Sequence, residues 1–459
     1  MDWIMNYLLK NYREMAAILL STLSTSCNDY LNVKSNMELE TIESLESLEL
    51  LMDGSQFMNF NVNSFGEASA DDYWLSENTF QAQNEIVRNI YTWSHNNYLH
   101  NNDWAKGYLP IYHANLVIDR CKKEQDKLNT EERWRTVYGT ALFFRAYQHM
   151  CQVFTYAKAY QEEQADHDLG VVLRLSSDPS IASRRATNRE TYEQIAGDLK
   201  LSLAYLPERS HHPMRPSKWA SYGALARLYL SMNDYNHAKL YADSCLRISQ
   251  NLLDFKDTDG LNINARFPIP RFNKETIFYA QLTTSQPNLN PNVGLIDTLL
   301  YQSYKENDLR KLYFFEDNDD GYVSFCGHYT ESQNLFGGIT VSEIFLINAE
   351  SCIKLNRVQE GMEWLNKFLA NRYIDFINLN FSTKEEALNM VLEERRKELV
   401  MRGLRWMDVK RRNAAGEQIT LRRKIGGSQL SLSPNDSRFA LPLPLDIVNQ
   451  TNIEQNTYD

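Results

Sequence analysis

Two segments of the chain repeat one pattern of residue sizes. Ala226, Asn233, Ala238 and Ala242 have internal offsets of 7, 12 and 16, and Ala349, Asn356, Gly361 and Leu365 have the same offsets. Each set places a small residue on one helix, a turn residue, and then a small residue on a returning helix. Small side chains let two paired helices approach closely, and Tyr229 and Tyr235 supply bulk beside the first pair. A chain with this pattern is constrained to antiparallel helix hairpins, so the fold is expected to be mostly α-helical.

The spacing is close to that of a tetratricopeptide repeat. Two clear copies are too few for a regular solenoid, so irregular hairpins supporting a larger domain are expected. Further helical patterns cover Thr41 to Met52, the stripe Trp104, Tyr108, Ile111, Tyr112, Asn115 and Ile118, and Glu131 to Tyr156. Another runs from Thr191 and is stopped by Pro207. Between them, Asn59 to Asn102 is rich in Asn, Ser, acids and aromatic residues, with little helical periodicity. From Leu252 to Gly338 periodicity fades again, and Pro268, Pro270, Pro287 and Pro291 mark long loops. Loops of this length inside a chain are usually functional.

Leu388 to Arg412 forms a dense charged stretch. Leu388, Val391, Leu392, Arg395 and Leu399 recur at helical spacing. Glu393 with Lys397, and Glu398 with Arg402, are i,i+4 pairs in the favourable order. Gly403 stands where a left-handed cap is wanted, and Trp406, Met407 and Val409 follow among basic residues. The order Glu394-Arg395-Arg396, Glu398-Leu399, Gly403, Arg405-Trp406, Asp408 and Arg411 resembles the C-terminal signature of the SusD/RagB family of outer-membrane nutrient-binding lipoproteins. Arg402 and Leu404 stand where that family carries Glu and His. The pattern Trp104-x3-Tyr108-x2-Ile111-x2-Ala114-Asn115 and the closing segment Phe439 to Asn456 resemble it too. These signature residues are read as structural rather than ligand-binding.

At the N-terminus, Lys10 and Arg13 precede a short apolar run, Met15 to Leu23, which ends at Ser24-Thr25-Ser26-Cys27. That order resembles an export signal over residues 1–26 with a lipobox, in which Cys27 is acylated and becomes the mature N-terminus. Acyl chains would anchor the protein, each buried methylene contributing about 0.8 kcal/mol. The expected organisation is 1–26 as signal, 27–215 as an N-terminal SusD-like region and 216–459 as a C-terminal SusD/RagB region packed with it as one unit. Cys121, Cys151, Cys245, Cys326 and Cys352 are odd in number and scattered, a poor disulfide framework. Four of them fall in helical patterns and read as small buried hydrophobes.

A net charge of −11 argues against a nucleic-acid partner, whose phosphates need concentrated Lys and Arg. No run of about eighteen apolar residues follows the N-terminus, so no membrane-spanning helix is expected. With 59 acids, close carboxylate pairs arise by chance, and no catalytic motif encloses one. Nine His show no tight ligand spacing, and no Gly-rich phosphate loop occurs. Glu316 to Gly321 hints at a calcium loop, but Gly327 stands where a bidentate Glu is required. Neither a cofactor nor a metal is expected, and no enzymatic activity. A sugar ring has an apolar face and a hydroxyl rim, so it is bound by an exposed aromatic plate with amides or charges nearby. Trp74, Trp93, Asn97, Tyr98 and Asn101 in the first loop region fit, with Tyr322 and Tyr329 in the second. The resemblance implies a lipid-anchored protein of the outer membrane, exposed at the cell surface, that binds oligosaccharides and delivers them to a TonB-dependent SusC-like transporter. A second reading keeps the scaffold and changes the cargo to peptides, as in the RagB branch, and a different class is a helical-repeat adaptor that binds only protein.

Overall fold

Helix starts in this chain are written with capping residues. Thr187 with Glu190, and Thr383 with Glu386, form complete capping boxes at the starts of two helices. The structure is a computed structural model that describes residues 44–256, 260–318 and 320–458. The expected signal and Cys27 lie outside the described residues.

Nine helices of ten or more residues carry the fold among the described residues: α1 (Asp103–Lys123), α2 (Glu132–Tyr156), α3 (Asn188–Tyr205), α4 (Lys218–Ser231), α5 (Tyr235–Ile248), α6 (Val341–Lys354), α7 (Val358–Leu369), α8 (Lys384–Glu398) and α9 (Arg405–Ala414). From α1 to α7 each packs on the next, α8 lies on α6, and α9 meets α2 and a short helix at Phe65–Ser69. The fold is thus mostly α, with hairpins of the tetratricopeptide kind.

Both repeated hairpins form where their spacing places them. Ala226, Ala238, Ala242, Ala349 and Leu365 are fully buried. The turn residues Asn233 and Asn356 adopt left-handed φ of 57° and 64°, which Asn tolerates better than most residues. A Cβ on Gly361 would lie 2.6 Å from Ile353 Cγ1 and 2.8 Å from the Ala349 carbonyl oxygen, so only glycine fits this crossing. Tyr229 stacks on Tyr241 at 5.6 Å, and Tyr235 donates to Asn233 Oδ1 at 2.9 Å.

The charged stretch is buried and internally paired. Asp408 accepts from Arg395 at 2.8 Å and from Arg411 at 2.7 Å, and Arg411 also holds Glu350. Glu393 pairs with Lys397 as its spacing predicts. The Glu398–Arg402 pair does not form, because α8 ends at Glu398 and the chain turns away. Glu398 instead holds Arg372 at 2.9 Å, and the Arg402 guanidinium lies 3.7 Å from the Tyr329 ring centroid. Gly403 does adopt φ 76°, but it follows a turn after the helix rather than capping it.

Both loop regions are irregular but not free of helix: Leu252–Gly338 holds the short helices Thr298–Ser303 and Arg310–Phe314. Asn59–Asn102 holds three short helices, Phe65–Ser69, Glu77–Gln81 and Glu85–Tyr91. Two of these, starting after Ser76 and Asn84, are capped by those side chains, a local device that long-range periodicity does not register. Among the described residues, strands occur as five antiparallel pairs. One pair, Tyr73–Trp74 with Leu295–Ile296, joins the two loop regions directly. Glu49–Asp459 hold together as one unit. No helix of the described residues is long and apolar enough to cross a membrane. The five cysteines of the described helices and loops are buried and unbridged.

Candidate ligand-binding pocket

The strand pair that joins the loop regions opens onto a pocket of about 560 Å³. Trp74 stands at its wall, half-buried, and the Tyr322 ring meets it edge-on at 4.8 Å. Tyr322 is 41% exposed and follows the turn between strands Phe315–Asp317 and Val323–Phe325. The Trp74 indole N–H is left without an acceptor among the described residues. An apolar plate edged by charged and amide side chains suits a ring that is apolar on its face and hydroxylated at its rim.

The same pocket is lined by a hairpin, Leu421–Ile425 paired with Ser428–Leu432. Gly426 and Gly427 take φ 53° and 85°, the two left-handed residues that a tight two-residue hairpin turn requires. Arg422 and Lys424 are exposed on this hairpin, and Arg423 alternates to the inside. Arg423 donates to the carbonyls of Tyr73, Ala70 and Tyr91. Its guanidinium lies 4.1 Å from the Tyr91 ring centroid and 5.1 Å from that of Tyr73.

The pocket's carboxylates are already engaged. Asp71 accepts from Arg405 at 2.7 Å and lies 3.3 Å from Arg396. Burial works to raise its pKa, but the two guanidiniums outweigh burial and hold it below the usual carboxylate range. Asp297 accepts from the Leu300 N–H, capping the helix Thr298–Ser303. Deeper in, burial and the neighbouring Asp72 push the Glu67 carboxyl up to about 8.

The other sequence candidates are placed apart from this plate. Trp93 is buried, donates to the Ser69 carbonyl at 2.9 Å and backs Arg423 at 5.5 Å, so it is not an open platform. Tyr98 is buried too, with its ring 5.5 Å from Phe65 and its hydroxyl donating to the Pro442 carbonyl. Tyr329 is fully buried and donates to Glu275 at 2.9 Å. Each of these rings faces a hydrophobic or cationic neighbour inside the fold, which corrects the expectation that they face a ligand. Asn97 and Asn101 are exposed, flanking a turn that the Leu445 N–H fastens through the Tyr98 carbonyl. They do not line the Trp74 pocket. Arg422, Arg423, Lys424 and Gln429 line the pocket without any motif in the sequence that marks them as ligand-binding. The Gly-Gly pair between alternating residues was the signal that could have located them.

Two neighbouring openings lack such a plate. One, of about 370 Å³, is lined by Gln286, Asn290, Gln333 and Asn334 over leucines, without an aromatic ring. The other, of about 600 Å³, has Phe60 as its single ring, and that ring already packs on Tyr279.

Known proteins share the fold. Residues 29–230 match the SusD-like family described as starch-binding, associating with outer membrane, and residues 332–443 match the SusD family. SusD-like protein P2 of Formosa agariphila is 23% identical over 416 residues, covering 77% of this chain and 79% of that protein. A SusD superfamily structure from Bacteroides thetaiotaomicron superposes with a TM-score of 0.74 at 20% identity, over 90% of this chain and all of that one. A SusD-like carbohydrate binding protein from Bacteroides vulgatus does so with a TM-score of 0.64 at 17% identity, over 89% of this chain and 96% of that one. At these identities the structural likeness concerns the fold.

Proposed function

This chain belongs to the SusD/RagB family, and from that premise we propose that it captures oligosaccharides at the cell surface and passes them to a TonB-dependent SusC-like transporter. One observation carries the binding half of the reading. Trp74 and Tyr322, drawn from the two loop regions, meet beside an open pocket edged by Asp, Arg, Lys and Gln side chains. A half-exposed indole offers a sugar face its apolar area, and the flanking polar groups fix the orientation. The family description as starch-binding and the carbohydrate-binding relative support the same cargo class.

Delivery to a transporter rests on family membership. Anchoring rests on the Ser-Thr-Ser-Cys27 order and on the family description as associating with outer membrane. The role is binding and handover without turnover.

Calorimetric titration with a panel of neutral and acidic oligosaccharides tests the proposal. Saturable binding by the wild type that weakens in Trp74→Ala is expected. A panel that fails to bind, with peptides binding instead, would replace the sugar cargo by a peptide one. Recovery of intact oligosaccharides after long incubation is expected, and their cleavage would make the protein an enzyme.

A further inference from the structure

We propose that the pocket beside Trp74 takes an anionic glycan, one that carries carboxylate or sulfate groups. This rests on reading that pocket as the sugar site. Four cations line it, Arg396, Arg422, Arg423 and Lys424, against two carboxylates, Asp71 and Asp297. The carboxylates do not balance the excess. Asp71 is shared by Arg405 and Arg396, Arg396 also holds Asp72 at 2.9 Å, and Asp297 caps a helix.

Arg422, Arg423 and Lys424 remain. Arg423 spends its donors on main-chain carbonyls, which are neutral, and forms no ion pair among the described residues. Its position is fixed by the rings of Tyr91, Tyr73 and Trp93. Arg422 and Lys424 form no ion pair among the described residues, and both are exposed at the pocket edge. Three cations that form no ion pair among the described residues therefore meet on one hairpin of a chain whose net charge is −11.

A neutral sugar settling here would strip water from these cations and return only neutral hydrogen bonds. A carboxylate or sulfate would return charge-assisted bonds, which are shorter and stronger. The local positive field would also draw an anionic chain toward a surface that elsewhere repels it. Trp74 supplies the stacking face, and the hairpin supplies the sign of charge.

The test compares oligomers of equal length: a hexagalacturonate for carboxylate, a sulfated carrageenan hexamer for sulfate, and maltohexaose and xylohexaose as neutral probes. At low ionic strength at least one acidic hexamer should bind about tenfold more tightly than either neutral one, and that advantage should shrink as salt screens it. The acidic arm that binds identifies the anionic group. The Arg422→Gln, Lys424→Gln double variant should weaken acidic binding about tenfold with an unchanged melting temperature, since both side chains are exposed. Neutral hexamers that bind as tightly as acidic ones, lose affinity in Trp74→Ala and ignore the double variant would overturn the charge inference and keep the sugar site. Acidic binding that the double variant leaves intact would overturn it as well. A wild type that binds none of the hexamers would overturn the sugar site itself, and the charge inference with it.

Discussion

Trp74 and Trp93 are the same residue type in the same loop region, yet they meet different surroundings. Trp74 keeps part of its ring at a pocket wall, and Trp93 hides behind Arg423 with its indole N–H satisfied. Trp74→Ala should remove about 1–3 kcal/mol of glycan binding, by analogy with bases stacked on aromatic rings, with little change in melting temperature. Trp93→Ala should instead cost about 3–5 kcal/mol of stability, because it empties a buried volume. Titration and thermal melting of both variants distinguish the two roles. Glu67 makes a pH prediction. Burial raises its carboxyl from the ordinary 4.5 to about 8, so across that window the folded protein holds a proton that the unfolded chain has released. Its contribution is fully present below about 4.5 and is lost as pH rises toward 8, with a slope of at most about 1.4 kcal/mol per pH unit. Glu67→Gln should flatten that decline relative to wild type, read from urea midpoints at several pH values between these limits.

At the scale of elements, the helix hairpins are set by a few small residues. Ala226→Leu should overpack the α4–α5 crossing and cost roughly 1–3 kcal/mol, seen as a lower urea midpoint. Gly361→Ala should cost a similar amount, about 1–3 kcal/mol, because the new Cβ meets the Ala349 carbonyl oxygen, a backbone atom that cannot step aside. These hairpins were legible because their cause is local: offsets of 7, 12 and 16 place small residues on facing helices wherever the pair lies. The hairpin Leu421–Leu432 is equally local in its Gly-Gly turn, but its use depends on what lies opposite. The arginine and lysine side chains matter because strand Tyr73–Trp74 lines the same pocket, more than three hundred residues away in sequence.

At the scale of the whole molecule, Arg372 shows how the loop-rich part is tied to the helices. Its fully buried guanidinium holds Glu398 at the end of α8, Glu275 beside strand Thr276–Phe278, and the Leu253 carbonyl. Arg372→Leu would leave Glu275 buried without its cation and Glu398 with only the longer contact to Arg310, and should cost about 3–5 kcal/mol. A parallel drop in thermal midpoint by far-ultraviolet and near-ultraviolet dichroism would show the parts unfolding together. Outside the described residues, an acylated Cys27 predicts that the mature protein begins there and carries lipid. Mass spectrometry of membrane fractions checks this, and an intact, unmodified N-terminus would contradict it.

The sequence by itself determined the helix hairpins, the extent of the two loop regions, and the charged order from Glu394 to Arg411 that resembles one family. Each is a short-range pattern, fixed by side-chain size, period or charge spacing. Tertiary structure alone decided which aromatic rings are open. Trp93, Tyr98 and Tyr329 occur in the same kind of polar, aromatic sequence as Trp74 and Tyr322, and nothing local distinguishes them. Burial is a property of what packs from elsewhere: Arg423 over Trp93, Phe65 against Tyr98, and Arg402 over Tyr329. The pocket was illegible for the same reason, since its plate, its partner ring and its cations come from three distant segments that only the fold brings together.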